Sequence, residues 1–307
     1  MPGRSTSSHS RCSARWPSLS DRDWRLFLLL ALAFEPFLFE SWMGGQLSVV
    51  GLLAVCLAIR LEHDHRLFTA GLALGLLAYK PTLLVFLGLM MVVGRRWRTV
   101  GGLALAGAAS FGLSALLTGP AAVGAYVERV LGFQGTDLVV PLWKYVDVRS
   151  MAEALVGRGS AVALLVALAA MGAAVAVLVG PWRRRPVVGT PGGNLTWAAT
   201  LTLTLVANLY VPVYDVALLV PSLLLTWLAL GERPPPAFLR LVAAVCAVAW
   251  VTQPLAQATG VQLQTFLLAV LAAYQLRALR NVSRPPSGAV PARSATPTPG
   301  SETPVRA

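Results

Sequence analysis

Apolar residues run through this chain in long blocks, and polar residues fall between them in short, mostly basic turns. The blocks 26–40, 46–60, 67–79, 81–94, 99–118, 159–181, 195–210, 216–230, 237–253 and 260–276 read as helices by length and apolar content. A bilayer crossing takes roughly 20 apolar residues, so several blocks are long enough, or nearly so, to span. The expected fold is an all-α, polytopic membrane helical bundle of about 8–10 membrane helices, short broken ones included. Blocks 67–79 and 81–94 would each be only about 20 Å long as helices. They read as a broken pair that dips into the membrane and returns, split at Tyr79-Lys80-Pro81.

The same pattern divides the chain. Residues 1–25 form a polar, basic N-terminal segment, expected to be disordered or interfacial. Residues 26–280 are the membrane domain. Residues 281–307, rich in Pro, Ser and Thr, cannot bury a core and are expected to be a disordered cytoplasmic tail. Leu26 to Phe34 also resembles a signal-peptide core. Glu35-Pro36 follows it instead of a small-residue cleavage site, which favours a short membrane helix over 26–40. The loop 119–158 is long enough to be functional. Within it, 121–131 (AAVGAYVERVL) reads as an amphipathic interfacial helix. Gly132 to Arg149 is expected to be irregular.

Composition supports this picture. The chain has 307 residues, 56% hydrophobic and only 12% charged, where soluble domains run near about 25% charged. A net charge of +12 would suggest nucleic acid in a soluble protein. Here, however, the arginines cluster in the termini and in short turns. Segments 1–25, 60–66, 95–98, 182–187, 231–240 and 277–307 hold 20 arginines. The opposite side holds Arg129, Arg149, Arg158 and Lys144. The positive-inside rule puts the first set in the cytoplasm, loop 119–158 outside, and the protein in the cytoplasmic (inner) membrane as a multi-pass chain, with membrane lipids and no nucleic acid as partners. Trp42, Trp97, Trp143, Trp182 and Trp250 fall near block ends, as an aromatic belt would. Cys12, Cys56 and Cys246 show no metal or redox spacing. The glycosylation-like triplets at Asn194 and Asn281 fall on the cytoplasmic side and are discounted.

Lysine occurs only at Lys80 and Lys144. A lysine inside an apolar run is costly in lipid and marks a functional candidate. Lys80 reads as a phosphate contact, since an ammonium is a good point-charge partner for phosphate. It also reads as a lysine that snorkels to an interface or pairs with a buried carboxylate. Asp215 suits a helix N-terminus, or a contact to sugar or cation, or a base. Glu35 and Glu40 flank Pro36 near the same face; each is a candidate base for a hydroxyl acceptor or an interfacial carboxylate reaching water. Gln46 suits a sugar or an inter-helix hydrogen bond. His63-Asp64-His65 has too few ligands nearby for a closed metal site and reads as a solvated turn. No metal site and no cofactor are expected.

Taken in order, Gly45-Gln46, Ala70-Gly71, Ala78-Tyr79-Lys80-Pro81, Arg95-Arg96-Trp97-Arg98 and the later Tyr214-Asp215 resemble glycosyltransferase family 87. The resemblance spans about residues 26–230. It implies the C-type membrane glycosyltransferase fold and similarity to polyprenol-phosphate-mannose-dependent mannosyltransferases. It further implies a polyprenyl-phosphate sugar donor, and inverting transfer to a lipid or glycan hydroxyl on the extracytoplasmic side. Lys80 would meet the donor phosphate, and Gln46, Tyr79 and Tyr214 would line the substrate. Enzymes of this type carry a catalytic Asp in the first extracytoplasmic loop, and no residue here matches it. The chain is therefore expected to lack the family's N-terminal part, and Glu35, Glu40 and Asp215 stand as the candidate catalytic carboxylates. Two rival readings remain: a non-catalytic polyprenyl-phosphate-binding membrane protein, and a transporter or flippase built on the broken pair.

Overall fold

The computed structural model describes residues 21–131 and 140–283. The expected tail 281–307 lies outside them beyond Ser283, as do residues 1–20 of the N-terminal segment. Among the described residues the fold is helical, with one isolated antiparallel bridge between Tyr145 and Pro212 and no named strand. Twelve α-helices follow in order: α1 Asp21–Ala33, α2 Ser48–His63, α3 Leu67–Gly75, α4 Pro81–Val93, α5 Trp97–Thr118, α6 Pro120–Leu131, α7 Val148–Val156, α8 Ala161–Arg183, α9 Pro191–Val206, α10 Leu219–Leu230, α11 Pro236–Thr259 and α12 Leu263–Val282. Among the described residues, four stretches are long and apolar enough to cross a membrane: Trp97–Thr118, Ala161–Arg183, Val213–Leu230 and Pro236–Thr259. Leu67–Tyr79 and Pro81–Val93 are shorter apolar helices.

Several boundaries differ from the sequence reading. The first helix already covers Asp21–Arg25, inside the polar segment. It stops before Glu35-Pro36 and resumes as a π-helical turn over Pro36–Met43. Pro36 has no N–H to continue the ladder, and its ring crowds the preceding turn. Block 195–210 begins earlier, at Pro191. The Thr190 hydroxyl caps it by accepting the Gly193 N–H at 3.1 Å, and Pro191 fits the first turn. Block 216–230 opens as a 3₁₀ turn, Val213–Leu218. Loop 119–158 carries more structure than expected. α6 matches the predicted amphipathic helix, but the second half holds a 3₁₀ turn (Leu142–Lys144) and α7, capped by the Asp147 carboxylate on the Ser150 N–H at 2.8 Å. Trp182 leaves the aromatic belt altogether. It is fully buried, donates to the Thr200 hydroxyl at 2.9 Å and meets Trp197 edge to face. Trp42 and Trp97 are exposed as a belt requires.

Small residues let helices approach closely. A Cβ on Gly71 would run into the Thr99 carbonyl, and one on Gly102 into the Phe68 carbonyl, so α3 and α5 pack backbone to backbone. The core of α9, α10 and α12 is partly polar: Gln275 Nε2 donates to the Ser222 and Thr226 hydroxyls, both at 2.9 Å. Such groups must be satisfied internally where water is absent.

Two polar ends result. At one, Arg96 pairs with buried Glu62 at 3.0 Å and donates to the Pro186 carbonyl, joining the α4–α5 turn to the end of α2 and to the turn before α9. At the other end lie the start of α2, the α3–α4 break, the Pro36–Met43 turn and the Val213–Leu218 turn. Lys80 sits there.

Candidate functional site

Lys80 occupies the break between α3 and α4. The last turn of α3 tightens into a 3₁₀ turn over Leu76–Tyr79, Lys80 is extended (φ −134°, ψ 75°), and Pro81 starts α4. A residue before proline is pushed out of the helical region, so the sequence Lys-Pro builds this break. Lys80 Nζ forms an ion pair with Asp215 Oδ2 and stands 4.4 Å over the Tyr214 ring. Ser48 Oγ donates to Asp215 Oδ1 at 2.8 Å. The Lys80 side chain keeps 17% exposure, while that of Asp215 keeps 1%. Lys80 thus pairs with a buried carboxylate, as one of its readings held. Asp215 lies inside the 3₁₀ turn, where its carboxylate partners Lys80 and Ser48 rather than capping a helix.

Asp215 and Tyr214 are delivered by an irregular segment between α9 and α10. Tyr210 takes a left-handed backbone (φ 52°), uncommon for a bulky residue. Its hydroxyl donates to Glu153 Oε1 at 2.8 Å, and Arg149 stacks on its ring. Asp147 Oδ2 accepts the Val211 N–H, and Val146 N–H donates to the Val211 carbonyl at 2.9 Å. Burial pushes the Asp147 carboxyl up to about 6, against the pull of its donors on Ser150 and Val211. Asn208 Nδ2 donates to the Thr82 carbonyl at 2.6 Å and so ties the segment to the first turn of α4. The Lys80–Asp215 pair is braced from both sides.

A second polar group abuts the first. Glu40, in the Pro36–Met43 turn, accepts Lys144 at 3.4 Å and Gln253 Nε2 at 3.0 Å on Oε1. Gln253 Nε2 also reaches Glu35 Oε1 at 3.4 Å. Ser41 Oγ lies 2.9 Å from the Tyr214 carbonyl and links the two groups. The structure therefore brings Glu35, Glu40, Lys80, Tyr79, Tyr214 and Asp215 to one end of the bundle. Tyr79 donates its hydroxyl to the Leu47 carbonyl at 2.8 Å, holding the α3–α4 break against the start of α2. Gln46 is exposed in the turn before α2, with its N–H on the Ser41 carbonyl, and is not an inter-helix packing residue.

Sequence reasoning missed the roles of Lys144, Gln253 and Ser48. A signal existed for two of them. Both lysines of the chain fall in this cluster, and Gln253 is an amide inside an apolar helix beside Pro254. Ser48, one hydroxyl among many, carried none. At the opposite end, His63 lies 3.1 Å from Asp64, which also pairs with Arg60 at 3.2 Å in an exposed turn. The His63 hydrogen bond holds the Asp64 carboxyl below its ordinary value.

Beside Tyr79 opens a groove of about 460 Å³, walled by Leu76, Tyr79, Phe111, Val123 and Tyr126. Two of its hydroxyls are bonded within their own helix: Ser110 donates to the Ala106 carbonyl at 2.9 Å and Thr118 to the Ser114 carbonyl at 2.8 Å, while Ser114 and Tyr126 also line it.

A polytopic helical bundle with paired charges, hydroxyls and tyrosines gathered at one end defines a membrane protein with a polar site at the edge of its apolar core. Residues 7–212 match the model of Glycosyltransferase family 87, and the chain belongs to that family. It is in general terms a membrane glycosyltransferase, which implies a sugar donor and an acceptor. No curated protein and no solved structure matches the chain significantly.

Proposed function

We propose that the protein moves a sugar, mannose in our reading, from a polyprenyl-phosphate donor to a lipid or glycan hydroxyl on the extracytoplasmic side of the cytoplasmic membrane. One observation carries this reading: Lys80, next in the chain to the groove-lining Tyr79, pairs with Asp215 at the end of the bundle that also holds Glu35 and Glu40. The donor phosphate lies against the Lys80 ammonium, sharing it with Asp215. The prenyl chain runs past Tyr79 into the groove, where Leu76, Ala78, Phe111, Ala122 and Val123 offer apolar wall. The sugar then faces Tyr214 and the Glu35–Glu40 pair, with Gln46 at the mouth. As the bond to phosphate breaks, negative charge grows on the leaving oxygen, and a fixed ammonium stabilises it. Glu35, Glu40 and Asp215 remain the candidates for taking the acceptor's proton. Asp215 is the weakest of the three, since Lys80 and Ser48 engage its two oxygens. In the same reading residues 26–280 form the membrane domain and 119–158 faces outward.

The test is transfer from polyprenyl-phosphomannose by membranes carrying the full chain. Wild type transfers, and Lys80→Ala does not. The double variant Lys80→Met/Asp215→Asn removes the buried charges together, controls for folding, and also fails to transfer. Undiminished transfer by well-expressed Lys80→Ala sinks the phosphate role. Donor binding by wild type without any transfer would favour a non-catalytic lipid-phosphate binder.

A further inference from the structure

We propose that Gln253 is a positioning residue that holds Glu40 as general base for the acceptor hydroxyl; the inference rests on the transferase reading above. Gln253 lies on α11, beyond the stretch matched by the family, and is only 8% exposed. Its Nε2 donates to Glu40 Oε1 at 3.0 Å and to Glu35 Oε1 at 3.4 Å. An amide NH₂ offers two hydrogens, and each carboxylate takes one. Lys144 adds a single positive charge, on the same Glu40 oxygen at 3.4 Å. Two carboxylates facing one ammonium repel each other, and a donor shared by both bridges them and offsets part of that repulsion. Gln253 is that bridge, and being neutral it leaves the charge of the corner unchanged.

The two carboxylates are not equivalent. Glu35 Oε2 is buried without a hydrogen-bond partner. The Glu40 side chain keeps 19% exposure, and Lys144 and Gln253 both meet Oε1, leaving Oε2 for a substrate hydroxyl. Glu40 is the carboxylate a substrate reaches, and Glu35 stands behind it. The next residue, Ser41, contacts the Tyr214 carbonyl, and the Tyr214 ring lies under Lys80. A base at Glu40 is thereby set beside the phosphate-binding lysine. In the transfer step the acceptor oxygen bonds to the anomeric carbon, and its proton passes to Glu40. The bond from that carbon to the phosphate oxygen breaks, and the phosphate leaves with the electron pair against Lys80. A base contributes only within hydrogen-bond reach of its proton, so orientation of Glu40 enters the rate directly.

The experiment uses the full chain in proteoliposomes with polyprenyl-phosphomannose. Gln253→Met keeps length and apolarity and removes both donors. Its kcat should fall roughly tenfold or more, with donor KM held within about twofold. Adding Glu35→Gln removes the like charge and should recover at least about a third of the lost rate, a coupling that purely structural damage would not produce. Gln253→Asn, with the amide on a shorter arm, should lose rate to an intermediate degree; this second variant decides the matter if Gln253→Met cannot be purified folded. An unchanged kcat in Gln253→Met, or a loss that Glu35→Gln does not relieve, overturns the proposal. Transfer lost in Lys80→Ala but kept in Gln253→Met overturns it alone. Absence of transfer by wild type overturns the donor reading and this proposal with it.

Discussion

Lys80 is the residue whose position costs most and explains most. A buried ion pair is weak evidence for stability, yet removing one partner leaves the other charge stranded. Asp215→Ala should therefore lower the stability of the purified protein by about 3–5 kcal/mol. Thermal unfolding in detergent measures it, and the Lys80→Met/Asp215→Asn double variant should regain most of the loss. If the double variant is as unstable as the single one, the pair is not the source of the effect. Lys80 was legible in the sequence because a charge inside an apolar run stands out whatever its partners. Its pairing with Asp215 was not, because 135 positions separate them along the chain and no local pattern encodes that meeting. Gln253 shows the same limit. Its type is unusual for its helix, but its use depends on Glu35 and Glu40, more than 200 positions away.

At the scale of elements, breaks matter more than helices. Pro36, Pro81 and the segment 207–218 interrupt helices at the end where the polar residues gather. Backbone freed from helical pairing is tolerated at membrane depth only where protein or a cavity satisfies it. Here Tyr79, Asp147, Asn208 and Ser41 supply the bonds. Helix contacts are sharper tests. Gly71→Val should disrupt the α3–α5 contact and lower the thermal midpoint, since its Cβ meets the Thr99 backbone. Gly107→Ala, with nothing within 4 Å of the added Cβ, should leave the midpoint nearly unchanged. Equal effects at the two sites would show that close packing is not what the glycines serve. Block positions were readable from hydropathy, but the start of α9 was misplaced where Thr190 caps it, and α7, capped by Asp147, was not predicted at all. Caps act through single hydrogen bonds that an apolar average does not register.

At the scale of the molecule, the arginine bias predicts which way the two polar ends face. In a chain with Cys12, Cys56 and Cys246 replaced by Ser, Arg158→Cys should react with a membrane-impermeant thiol reagent on intact cells. Glu232→Cys should react only after permeabilisation. The reverse pattern would invert the orientation and move the proposed site to the cytoplasmic face. The bundle also explains why the site has no local signature along the chain. It draws on the Pro36–Met43 turn, the start of α2, the α3–α4 break, the Val213–Leu218 turn and α11, which converge only when the helices have packed.

By itself the sequence determined that this is an α-helical membrane protein, where its apolar blocks lie, and that Lys80 is out of place among them. Those properties follow from the composition of contiguous residues set against the thickness of a bilayer. Only the tertiary structure decided the partners: Asp215 and Ser48 on Lys80, Gln253 across Glu35 and Glu40, and Trp182 inside instead of at the belt. These are contacts between distant segments. In an apolar chain many helix faces look alike to hydropathy, so the choice among them falls to close packing at small residues and to the need of each buried polar group for a partner.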